Sequence, residues 1–130
     1  MTTLDGIQHS RELTVLMARN NRITSLVPIQ NLTKLEDLHL GKNELNSLTG
    51  LERITSLVKL DLSNNRIENL DPILTLSGLD YLDLSFNNIE FIRNGKYLLN
   101  LAILNLRNNR IKSIQTFDNR FLNFLDLQNN

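Results

Sequence analysis

Leu57-Val58-Lys59-Leu60-Asp61-Leu62-Ser63-Asn64-Asn65 and Leu79-Asp80-Tyr81-Leu82-Asp83-Leu84-Ser85-Phe86-Asn87 align without a gap, 22 positions apart. The same frame starts again at Leu13, Leu35 and Leu101, and at Leu122 after an interval one residue shorter. Every copy closes on an asparagine: Asn21, Asn43, Asn65, Asn87, Asn109 and Asn130. Upstream, Leu4 and Ile7 stand in register as part of a partial repeat over residues 1–12. Self-similarity at a fixed period of this size is the signature of a repeat architecture, so residues 1–130 read as one array.

The spacing dictates the shape of one repeat. In Leu60-Asp61-Leu62 the leucines take one face of a strand and the aspartate the other. The asparagine-rich close favours a turn. Beyond it Ile67, Leu70, Ile73 and Leu76 return every three residues, the spacing of a 3₁₀ or loosely helical segment, and Pro28 and Pro72 preset its first turn. One repeat is therefore one coil. The aliphatics of a single coil cannot offset the entropy of ordering its backbone, so coils must stack and bury each other's leucines. Stacking aligns the strands in parallel at about 4.8 Å, and return segments wider than the strands bend the stack with the sheet inside. The prediction is an α/β solenoid: a right-handed coil with a concave parallel β-sheet of about six short strands and 3₁₀ or irregular convex segments.

Composition narrows the function. Lys plus Arg and Asp plus Glu both number 14 among 130 residues, so no net field draws the chain to nucleic acid or an anionic membrane. The absence of cysteine removes disulfides, thiolate metal sites and thiol nucleophiles, and fits a reducing, intracellular compartment or a bacterial surface. No window reaches the roughly 20 apolar residues of a membrane span. His9 and His39 are the only groups that titrate near neutrality when unperturbed, and no nucleophile frame, phosphate-cradling loop or zinc spacing accompanies them. We expect neither enzyme activity nor a cofactor, metal or small-molecule substrate.

The frame Leu-x-x-Leu-x-Leu-x-x-Asn-x-Ile-x-x-Leu, with Pro28 and Pro72 in the return segments, resembles the short 22-residue subfamily of leucine-rich repeats over nearly the whole chain. That subfamily includes regulatory subunits of a protein phosphatase, a spliceosomal subunit, an axonemal dynein light chain and the bacterial internalins. The resemblance implies a non-catalytic scaffold or regulatory subunit, cytoplasmic or nuclear, that binds a protein on its concave face. A bacterial adhesin or effector like the internalins, or an architectural segment of a larger assembly, are the alternatives.

Departures from the frame carry their own expectations. Gly95 replaces an aliphatic after Asn94, so the fourth return segment should be a looser loop. In the fifth, Phe117 and Phe121 supply bulk around Asp118-Asn119-Arg120, which suggests a helical turn. Asn130 follows a strand with nothing to cover Leu122, Leu125 and Leu127, so we expect further residues beyond it or end-to-end contact through that coil.

Function should lie on the strand positions that face away from the leucines. Tyr81, Ile103 and Phe124 fall in one column on successive strands, with Phe86 on the fourth repeat. Aromatic and aliphatic groups clustered on an open face suggest a protein interface. Lys59, Asp61, Asp83 and Arg107 complete the expected partner-binding set, Asp61 and Asp83 as an acidic pair complementing a basic partner.

Overall fold

A computed structural model describes residues 1–115 and 119–130, and they form a single right-handed solenoid. Six strands make one parallel sheet: β1 (Val15–Met17), β2 (Asp37–His39), β3 (Lys59–Asp61), β4 (Tyr81–Asp83), β6 (Ile103–Asn105) and β8 (Phe124–Asp126), ordered β1-β2-β3-β4-β6-β8. Two further strands, β5 (Phe91–Ile92) and β7 (Ser113–Ile114), pair in parallel on the return side. We number the coils one to six from Leu13, Leu35, Leu57, Leu79, Leu101 and Leu122.

Each strand register partner is the residue one repeat away, so Leu16, Leu38, Leu60, Leu82, Leu104 and Leu125 stack as a column. From coil two to coil four the strand leucines and the return aliphatics are buried together, Leu60, Leu62, Ile67, Ile73 and Leu76 with no exposure at all, and in coil five Ile111 and Ile114 are partly buried against that core. Leu4 is buried and Ile7 packs on the core, as the partial first repeat requires. At the other end Leu125 and Leu127 remain exposed.

The asparagine column is a hydrogen-bond ladder. Asn65 Oδ1 accepts the Leu45 N–H at 3.0 Å, while Nδ2 donates to Leu40 O at 3.1 Å and Leu62 O at 3.0 Å. Asn43, Asn87 and Asn109 repeat this bonding, and Asn130 does so at an exposed end. Asn21 is the lower terminus: its Oδ1 takes the Met1 ammonium at 3.0 Å, where an inner coil would supply a backbone N–H. A short amide offers both donor and acceptor, which is why one residue type closes every coil.

The return segments differ from the expectation in two places. Pro28 and Pro72 do open 3₁₀ turns, Val27–Ile29 and Asp71–Ile73. The fourth return is not loose. Asn94 adopts a left-handed φ of 57°, Gly95–Tyr97 forms a 3₁₀ turn, and Gly95 is buried. Phe121 is 63% exposed rather than filling the core, because Asn119 turns the chain there, accepting the Phe121 N–H and donating to Leu98 O. Phe117 and Asp118 lie outside the described residues.

Candidate functional site

The leucines leave one face of the sheet free, and its two ends differ in chemistry. Toward coils four to six, Tyr81, Ile103 and Phe124 are direct register partners on β4, β6 and β8. Tyr81 and Ile103 are half-buried and Phe124 is 49% exposed. The column is therefore a contiguous apolar strip, as its spacing predicts.

Toward coils two and three the face is polar and interlocked, while β1 adds the exposed apolar side chains of Val15 and Met17. Arg19 reaches across coil two to Asp61, with Nη1 to Oδ2 at 2.6 Å. Gly41 lies in the path: a Cβ there would stand 2.8 Å from Ser63 Oγ and 3.0 Å from Asp61 Oδ2, so the absent side chain makes room for the pair. Asp61 Oδ1 also accepts the Ser63 N–H at 2.9 Å. His39 lies between two carboxylates, 3.6 Å from Asp37 and 4.0 Å from Asp61. Asp37 Oδ1 is buried without a hydrogen-bond partner.

This geometry corrects the acidic pair expected from the sequence. Asp61 is only 4% exposed and is neutralised by Arg19, so it holds the site together instead of offering free charge. Asp83 is half-buried, accepts the Ser85 N–H at 2.9 Å, and lies 3.3 Å from the Asn105 amide that donates to it. Lys59 stands exposed between Asp37 and Tyr81 in the register, and Arg107 is exposed at the strand exit. The contact of Arg19, Gly41 and Asp61 spans three coils and has no sequence spacing of its own.

Phe86 is set apart from the strip, five positions beyond Tyr81 and past the end of β4. Its φ is 56°, in a column whose other members are Asn20, Lys42, Asn64, Asn108 and Asn129. A bulky residue in the left-handed region costs about 1–2 kcal/mol, a conformation asparagine tolerates, and Phe86 recovers little by burial because it is 49% exposed. Phe86→Asn is expected to raise unfolding free energy by about 1 kcal/mol in a urea titration; a loss of stability would mean that the ring makes a contact worth more than the strain.

Burial raises the Tyr81 phenol above its ordinary pKa of 10.0, helped by the charges of Asp83 and Asp61 and opposed by Arg19. The folded value stands above the unfolded one, so the native chain retains this proton longer. Its stabilising effect is complete below the unfolded pKa and lost as pH rises through the folded one. Subtracting the tyrosinate absorbance titration of Tyr81→Phe from that of the parent should isolate a midpoint above 10.0. A midpoint at or below that value would place the hydroxyl in open water.

A stack of parallel strands with its core on one side and an open sheet face on the other defines a repeat solenoid. The profile for leucine-rich repeats in two copies matches residues 11–53 and 55–94, more than half of the chain, and the chain belongs to the leucine-rich repeat family. Members are generally protein–protein interaction modules and typically not enzymes.

Among solved structures, an internalin (InlF) from Listeria monocytogenes is 28% identical, with a TM-score of 0.85 over 91% of this chain and 36% of that one. The leucine-rich repeat ectodomain of the receptor kinase SOBIR1 from Arabidopsis thaliana is 29% identical, with a TM-score of 0.74 over 88% of this chain and 69% of that one. A leucine-rich repeat protein from Leptospira interrogans is 25% identical, with a TM-score of 0.80 over 95% of this chain and 39% of that one. The chain thus spans about a third of the length of the internalin it matches. No curated protein matches it. Among the described residues no helix is long and apolar enough to cross a membrane.

Proposed function

We propose that this chain is a recognition module that holds one protein partner against the concave sheet, with Tyr81, Ile103 and Phe124 as apolar anchors. The carrying observation is that these three are register neighbours on successive strands, partly or largely exposed, beside a leucine column, Leu38, Leu60, Leu82 and Leu104, that is sealed in the core. Aromatic side chains bury large area at low entropic cost, which makes them frequent hot spots. Lys59 and Arg107 flank the strip as exposed charges, and Asp83 holds its middle. The Arg19–Asp61 pair and His39 give the other end of the face a fixed polar pattern that orients the partner. In this reading the module acts as a scaffold or regulatory subunit inside the cell.

A second reading, a bacterial surface adhesin, is favoured by the likeness to the Listeria internalin. It uses the same face. The partner's location separates the two: cross-linking in intact cells of the source organism would find it either within the cytosol or on a host surface.

The face itself is tested by Tyr81→Ala combined with Phe124→Ala, measured against a cross-linked partner purified with the parent chain. We expect at least about a hundredfold weaker binding, since two hot-spot truncations each cost about 2 kcal/mol or more. Unchanged affinity with unchanged circular dichroism would remove the concave strip from the interface.

A further inference from the structure

We draw no further inference here: the strongest candidate, the apolar groove on the return side of coils three and four where Tyr97 and Leu99 stand exposed beside Leu74, is an unpartnered surface, and nothing in the structure shows what covers it.

Discussion

Asn65→Ala is expected to lower unfolding free energy by about 3–5 kcal/mol, because it orphans buried backbone groups at about 1–3 kcal/mol each. The side chain satisfies the Leu45 N–H below it and the Leu40 and Leu62 carbonyls beside it, all in buried surroundings. Alanine supplies neither donor nor acceptor. Position in the array matters as much as chemistry. Coils touch only their neighbours, so a defect in the third coil weakens the coupling on both sides, whereas one at an end loosens a single turn. Asn130→Ala, whose carbonyl partner and own amide reach solvent, should therefore cost only about 1 kcal/mol. Urea unfolding of the two variants measures the contrast. If they lose the same stability, the ladder is not a buried network.

Gly50→Ala should cost about 3 kcal/mol, through two separable effects. Gly50 has a φ of 108°, and a Cβ there would stand 2.7 Å from Leu26 O and 2.9 Å from its carbonyl carbon. Those atoms are backbone of the coil below, so nothing flexible can yield. Gly6 occupies the equivalent position one coil below Pro28, with a φ of 102°, and open space surrounds its virtual Cβ. Gly6→Ala carries the dihedral strain alone, about 1–2 kcal/mol. The difference between the two variants measures the steric part. Equal losses would show that coil contact at Leu26 contributes nothing.

These glycines mark where the sequence was read incompletely. Positions 6, 28, 50, 72 and 94 are one column, occupied by Gly, Pro, Gly, Pro and Asn. The prolines were legible because their fixed φ announces a turn. The remaining three all have positive φ, 102°, 108° and 57°, so the column alternates between two ways of starting the return. Reading down the column would have exposed Gly6 and Gly50 as a second turn type, and Asn94 with them. The Tyr81, Ile103 and Phe124 strip was legible for a related reason: a fixed repeat converts sequence spacing into spatial adjacency, so columns become neighbours. Phe86 was placed in the right repeat, but its left-handed backbone, beyond the strand end, sets it apart from that strip.

By itself the sequence determined the period, the inward leucines, the parallel strands and the asparagine ladder, because each follows from a local pattern repeated in register. Only the tertiary structure decided how side chains use the space between coils. Arg19 passes over Gly41 to neutralise Asp61, removing from the surface a carboxylate that the sequence offered to a partner. That contact depends on the relative positions of residues more than one repeat apart, and a repeat pattern encodes only what each coil shares with the next.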